Sequence, residues 1–155
     1  MAMNLFLDVE KQHLDSFRQD LPDSFDVVIV EANSADEAIN LGIEEWKNAI
    51  VVVITPFGLS GPRRNWKATS STLLAMGGYT QLMGDEGRTP LTLPGHYVEF
   101  QTAQYAYTAA TACLFAGEKN LIDVSMYETL LSLSQFTTVM WSCSCLLYTS
   151  PSPRD

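Results

Sequence analysis

The chain has 155 residues, of which 46% are hydrophobic and 17% are charged, and its formal net charge is −9. This length and hydrophobic fraction are sufficient for one domain with a buried core, and they exclude a wholly disordered chain. The negative charge makes the phosphate backbone of a nucleic acid an unfavourable partner. Residues 1–50 hold 11 acidic and 3 basic side chains, so an anion-binding site is expected in residues 51–155.

The sequence indicates a cytoplasmic protein without a membrane span or a metal site. No uncharged apolar stretch reaches the roughly 18 residues that cross a bilayer, and the N-terminus lacks the basic segment of a signal peptide. Cys113, Cys143 and Cys145 do not have the spacing of zinc ligands and are typical of reduced thiols. His13 and His96 are too far apart in the sequence to indicate a shared metal site.

The predicted elements alternate between strand and helix along the chain. Apolar runs typical of buried parallel strands lie at residues 25–30, 49–54 and 121–124. Helical periods lie at residues 10–21, 35–41, 70–76, 100–115 and from 126 toward 141. Because a strand, a helix and a strand in this order form a βαβ unit, the sequence predicts an α/β fold, with a partial Rossmann-like parallel sheet and flanking helices.

Local signals refine three of these helices. The Gly77-Gly78 pair is suited to end the third helix, and Ser125 with Glu128 has the spacing of a capping box at the start of the last one. The segment 100–115 is rich in alanine and aromatic residues, which favours a largely buried helix.

Two groups of charged residues are candidates for chemistry. Arg63, Arg64 and Lys67 follow the second predicted strand, and α/β folds bind ligands beyond the carboxyl ends of their strands. This loop is therefore a candidate site for a phosphate-bearing ligand, and a solvated loop is the alternative. Glu99 precedes the fourth predicted helix, and on spacing alone it is interpreted as a carboxylate that complements the helix dipole.

A series of short motifs runs through the chain. Residues 53–62, Val-Ile-Thr-Pro-Phe-Gly-Leu-Ser-Gly-Pro, resemble the S-I-T-x-F-G-x-x-G-P segment of the class III CoA-transferase family. This family includes formyl-CoA and carnitine/crotonobetainyl-CoA transferases, with α-methylacyl-CoA racemase as a relative. The resemblance covers nearly all of residues 20–144, and its further segments lie at residues 26–31, 66–70, 76–78, 90–95 and 123–128.

The resemblance implies that residues 1–144 form part of the family's large domain. Residues 145–155 contain two prolines and no helical period, and they resemble the translation of a sequencing adaptor, so we expect an artefactual disordered tail. Complete members of the family have several hundred residues and form interlocked homodimers. We therefore expect a central fragment of a homodimeric enzyme, which on its own is aggregation-prone and inactive.

The resemblance also implies a reaction and the residues that carry it. Members of the family move CoA from an acyl-CoA to a carboxylic acid, so CoA is a substrate and no cofactor is permanently bound. Their nucleophile is an aspartate that forms a mixed anhydride and then a CoA thioester, and its position corresponds to Glu99 here. The positions that correspond to CoA contacts are Phe57, Gly58, Arg63, Arg64, Lys67, Ala68, Thr69 and Ser70.

Two alternatives to the transferase stay open. One is a non-catalytic CoA-binding or structural homologue, which is favoured by Glu99 in place of the aspartate and by the loss of an arginine within residues 32–36. The other is the racemase, whose general-base histidine corresponds to Thr69. Because threonine has no usable base near neutral pH, racemisation is disfavoured.

Overall fold

The computed structural model describes residues 26–83, 87–135, 138 and 139. The helix predicted over residues 10–21 lies outside these ranges. So do His13, Cys143, Cys145 and the expected tail at residues 145–155.

Three parallel strands form one sheet in the order β1–β2–β3. The strands are β1 (Val27–Glu31), β2 (Ile50–Thr55) and β3 (Leu121–Ser125), which lie within two residues of the predicted bounds. Every residue of the central strand β2 is buried, because strands pair with both of its edges and helices cover both of its faces. The predicted α/β class and the parallel sheet are confirmed.

Five helices and one short 3-10 turn connect and flank these strands within the described residues. The helices are α1 (Ala35–Asn40), α2 (Ser70–Met76), α3 (Tyr79–Leu82), α4 (Tyr97–Ala116) and α5 (Met126–Leu133), and the 3-10 turn is Ile43–Glu45. None of the helices in this part of the chain has the length and hydropathy needed to cross a membrane.

Alternate residues of the strands form two hydrophobic cores, one on each face of the sheet. Val53 of β2 packs in one core with Ala38 of α1. The preceding residue of β2, Val52, points to the opposite face of the sheet and packs in the other core with Ala106 and Ala110 of α4. The two-residue period of the strand thus assigns α1 to one face and α4 to the opposite face.

The start of the last helix confirms the predicted capping box on its serine side. The Ser125 hydroxyl accepts a hydrogen bond from the backbone N–H of Glu128, at 3.2 Å. The helix ends at Leu133, where the N–H of Ser134 donates to the carbonyl of Leu131. Trp141, toward which the helix was predicted to run, lies outside the described residues.

Helix α4 begins three residues earlier than predicted. Gly95 turns the chain at φ +73°, and the N–H of Phe100 donates to the carbonyl of His96 at 2.9 Å, which closes the first turn over residues 97–100. Glu99 therefore lies inside the first turn of the helix and not before it. The sequence does not indicate this early start, because the side chain of the N-cap residue His96 makes no capping hydrogen bond.

The expectation that this helix is largely buried is wrong. Its inward side carries small residues, of which Ala106 and Ala110 pack against the sheet. Its outward side exposes Phe100, Tyr107 and Phe115, with Phe115 90% exposed. Apolar residues lie on both the inward and the outward side of the helix, so composition could not identify the buried side.

Candidate functional site

A cavity of about 430 Å³ lies at the carboxyl end of the sheet. This is the edge at which open α/β sheets bind ligands. Its walls come from the segments that follow β1 and β2, from the starts of α2 and α5, and from the first turn of α4. The lining residues are Glu31, Ala32, Asn33, Glu37, Pro56, Ala68, Thr69, Ser70, Glu99 and Met126.

The two carboxylate oxygens of Glu99 have different surroundings. Oε1 accepts a hydrogen bond from the Ser70 hydroxyl, and the Nδ1 of His96 lies 4.0 Å from the same oxygen. Oε2 is shielded from solvent and has no hydrogen-bond partner among the described residues. The side chain as a whole is 40% exposed, and Glu99 lines the cavity.

A buried polar atom without a partner is uncommon in native structures, because its desolvation is not compensated. A carboxylate with one oxygen held and the other unpaired can act as a nucleophile toward a carbonyl carbon. The first turn of α4 also suits an anion, since the amino end of a helix carries partial positive charge.

Ser70 is placed by the start of α2. Thr69 is the N-cap of this helix, and its hydroxyl accepts from the N–H of Thr72 at 3.4 Å. The hydroxyl of Ser70 is therefore not needed to cap the helix and can donate to Glu99. The family resemblance implies a CoA contact for Ser70, and no spacing in the sequence indicates this bond, which joins residues 29 positions apart.

The loop between β2 and α2 begins with a buried aromatic residue and a constrained glycine. The ring of Phe57 packs edge-on against Trp66, with ring centroids 6.1 Å apart, and at a tilt against Tyr127. Gly58 has φ +82°, and a Cβ at this position would lie 3.3 Å from the Oδ2 of Asp123. That oxygen also accepts from the N–H of Leu59 at 2.9 Å, so the carboxylate fixes the turn.

The three cations of this loop lie at the surface. The guanidinium of Arg63 stacks over the ring of Trp66, 5.3 Å from its centroid. Arg64 forms an exposed ion pair with Asp36 of α1, at 3.6 Å, and Lys67 is exposed. None of the three lines the cavity.

The predicted site residues thus divide into two groups. Ala68, Thr69, Ser70 and Glu99 line one cavity. Phe57, Gly58, Arg63, Arg64 and Lys67 belong to the adjoining loop and do not line it.

Sequence reasoning missed two further acidic residues of the lining, Glu31 and Glu37. Glu31 is the last residue of β1. Its position at the carboxyl end of a buried strand is a sequence signal that could have identified it as a candidate site residue. Glu37 lies in α1, and its Oε2 accepts from the N–H of Asn33 at 3.1 Å. The charged residues of the lining are therefore all acidic. Across the described ranges, no group of three or more His, Cys, Asp or Glu side chains is placed to hold a metal ion.

A sequence model of CoA-transferase family III matches residues 4–154. The chain belongs to this family. The match confirms the family resemblance of the sequence motifs.

Two curated relatives carry the same kind of name. A protein described as a probable CoA-transferase of Mycobacterium tuberculosis is 29% identical over 89 residues, which cover 55% of this chain and 11% of that protein. The succinyl-CoA:(R)-benzylsuccinate CoA-transferase subunit BbsE of Thauera aromatica is 29% identical over 79 residues, or 48% of this chain and 19% of that protein. The matched part of this family III chain thus spans less than a fifth of the length of either relative.

Solved structures agree with the fold. A CaiB/BaiF family protein from Brucella suis superposes with a TM-score of 0.72 at 20% identity, covering 87% of this chain and 38% of that one. The protein Rv3272 from M. tuberculosis superposes with a TM-score of 0.69 at 23% identity, covering 92% of this chain and 41% of that one. At these identities the similarity supports the fold alone.

Proposed function

We propose that this family III chain is part of an enzyme that moves CoA from an acyl-CoA to a carboxylic acid, with Glu99 as the nucleophile. The observation that carries the proposal is the place of Glu99 in the lining of the cavity at the carboxyl end of the sheet, with its Oε2 left without a hydrogen-bond partner among the described residues.

In each step of the proposed reaction, one anion attacks a carbonyl carbon and another anion leaves it. The Glu99 carboxylate attacks the thioester carbonyl, so a C–O bond forms, the C–S bond breaks, and CoA leaves as its thiolate. The thiolate attacks the Cδ of Glu99, which gives a glutamyl-CoA thioester and releases the donor acid as its carboxylate. The acceptor carboxylate then attacks the same Cδ and displaces the CoA thiolate, leaving a second anhydride.

The thiolate completes the cycle by attacking the acyl carbon of the acceptor. The new acyl-CoA forms and the Glu99 carboxylate is regenerated, with no oxidation or reduction in any step. The proposed site has two parts. The thioester carbonyl reaches Glu99 at the cavity, while the exposed cations Arg63 and Lys67, and Arg64 when it exchanges its ion pair with Asp36, bind the phosphates of CoA.

Trapping the intermediate tests this proposal. The complete protein that contains these residues is incubated with an acyl-CoA and then treated with hydroxylamine or borohydride, and its peptides are mapped by mass. We expect the modification on the peptide that contains Glu99, and its loss in Glu99→Gln. Glu118→Gln, which changes an exposed acid outside the cavity, serves as the control and should keep the modification. A modification on Glu31 or Glu37 would contradict the assignment of Glu99.

A non-catalytic CoA-binding homologue is the second candidate. It is favoured by the position of all three loop cations outside the cavity, where they could bind CoA without involving Glu99. The complete protein would then bind CoA, measured by calorimetry, without turnover of any acyl-CoA and acid pair.

We also propose that the complete protein works in the cytoplasm as a homodimer. The support for the dimer is the family resemblance together with the exposed aromatic side of α4.

A further inference from the structure

We infer that Ser70 is the positioning residue of Glu99: its hydroxyl holds Oε1 and so fixes the orientation of the carboxylate in the wall of the cavity. The inference rests on the proposed function, because it assigns a role toward the nucleophile of that reaction. It concerns orientation only, and Ser70 forms no bond to the substrate.

The hydrogen bond gives the two carboxylate oxygens of Glu99 different surroundings. The Ser70 hydroxyl donates to Oε1, while Oε2 has no hydrogen-bond partner within the part of the chain that the structure describes. A hydrogen bond to an ionised carboxylate is stronger than one between neutral groups, so it holds the side chain well. The two oxygens therefore cease to be equivalent.

The donor is itself held rigidly. Leu73 and Leu74 of α2 share one buried cluster with Val98, which adjoins Glu99 in α4. This packing fixes the start of α2 relative to the first turn of α4. Because Thr69 caps the helix, the hydroxyl of Ser70 has no competing role in the helix end.

A glutamate gains more from this restraint than a shorter acid. Its side chain has three torsions, and each must be ordered to place an oxygen against a carbonyl carbon. Misplacement by about 1 Å can reduce a reaction rate roughly 100-fold. A hydrogen bond at the end of the side chain restrains all three torsions together.

His96 is the other neighbour of Oε1, and its geometry is weaker. Its Nδ1 lies at 4.0 Å, beyond hydrogen-bond distance, and its side chain is 79% exposed. Solvent screens an interaction of this kind, so it contributes little to orientation. The restraint on Glu99 is thus assigned to Ser70.

The test compares Ser70→Ala and Ser70→Thr in the complete protein. We expect Ser70→Ala to lower both kcat and the single-turnover rate of covalent intermediate formation by about 10- to 100-fold, with KM for the acyl-CoA changed less than about threefold. Ser70→Thr keeps a hydroxyl and should stay within about fivefold of the wild-type kcat. The matched control is Ser71→Ala, an exposed serine of the same helix turn that does not line the cavity, which should behave as wild type.

The outcomes separate this inference from the proposed function. If Ser70→Ala keeps the wild-type kcat while Glu99→Gln is inactive, the inference is wrong and the proposed function stands. If Glu99→Gln transfers CoA at the wild-type rate, Glu99 is not the nucleophile, and that part of the proposed function fails together with the inference. A loss in Ser70→Ala that Ser70→Thr does not restore, or an equal loss in Ser71→Ala, would show a structural role for this turn and overturn the inference. So would a larger loss in His96→Gln than in Ser70→Ala.

Discussion

Glu99 combines two properties at the scale of a single residue. Its position in the first turn of α4 favours a negative charge, and its shielded Oε2 has no hydrogen-bond partner among the described residues. An ordinary surface glutamate would have both oxygens solvated. The combination distinguishes this carboxylate from Glu37, which lines the same cavity but uses its Oε2 to accept from the backbone.

Gly58 is the residue that the turn after β2 requires. Its φ of +82° is costly for other residues, by about 1–2 kcal/mol, and a Cβ would lie 3.3 Å from the Asp123 carboxylate. We predict that Gly58→Ala lowers the free energy of unfolding more than Gly61→Ala does. Gly61 has a similar φ of +88° but nothing within 4 Å of an added Cβ. The loss of stability in Gly61→Ala therefore measures the cost of the backbone conformation alone.

Urea unfolding of the two glycine variants, measured in the complete protein, checks this prediction. Equal losses of stability would mean that the Asp123 contact adds nothing to the cost at Gly58.

At the scale of the elements, Tyr79 ties α3 to α5. Its hydroxyl donates to the carbonyl of Leu130 at 3.0 Å, and its ring lies 5.9 Å from that of Tyr97. Burial of the hydroxyl, with a further contribution from Tyr97, raises the pKa of Tyr79 from 10.0 to about 12. The folded state therefore prefers the neutral form of this side chain.

The sign of the pH dependence follows from this direction. The stability contributed by Tyr79 is fully present below pH 10 and is lost as the pH rises from 10 toward about 12. We predict that the absorbance titration of tyrosinate in the wild type, minus that of Tyr79→Phe, shows one step with a midpoint near 12. A midpoint near the ordinary value of 10.0, with both proteins folded by circular dichroism, would contradict it.

The elements that sequence could predict are those with local signals. The bounds of α2 are as predicted, because Thr69 begins the helix as its cap and the glycine pair ends it. The uncharged β-branched run of β2 likewise identified a strand covered on both faces.

The elements and contacts that sequence could not predict depend on tertiary packing. The buried side of α4 is chosen by the sheet, since both sides of the helix are apolar. The bond from Ser70 to Glu99 depends on how α2 packs against α4, and no spacing along the chain encodes it.

At the scale of the whole molecule, the outward side of α4 governs how the chain behaves on its own. Phe100, Tyr107 and Phe115 are spaced seven and eight residues apart, about two helical turns each, and all three are more than half exposed. Together they give α4 an aromatic side of the kind that in soluble proteins marks an interaction surface or an aggregation site.

We predict that the 155-residue chain alone self-associates in a concentration-dependent manner. Sedimentation velocity checks this, and the combined replacement of Phe100, Tyr107 and Phe115 by glutamine should yield mainly monomer with an unchanged far-UV spectrum. Gln104→Ala, at an exposed polar position of the same helix, is the control and should self-associate as the wild type does. A wild-type chain that stays monomeric at all concentrations would contradict the prediction.

The central claim, that Glu99 carries the transferred group, is tested most directly with an acceptor acid labelled with oxygen-18 in its carboxylate. In the proposed cycle an acceptor oxygen bridges the second anhydride and stays on Glu99 when CoA attacks the acyl carbon. After turnover of the complete protein, the account predicts that the peptide containing Glu99 gains one oxygen-18 label, while Glu99→Gln gains none. A protein that forms the new acyl-CoA with no label on Glu99 would contradict the account.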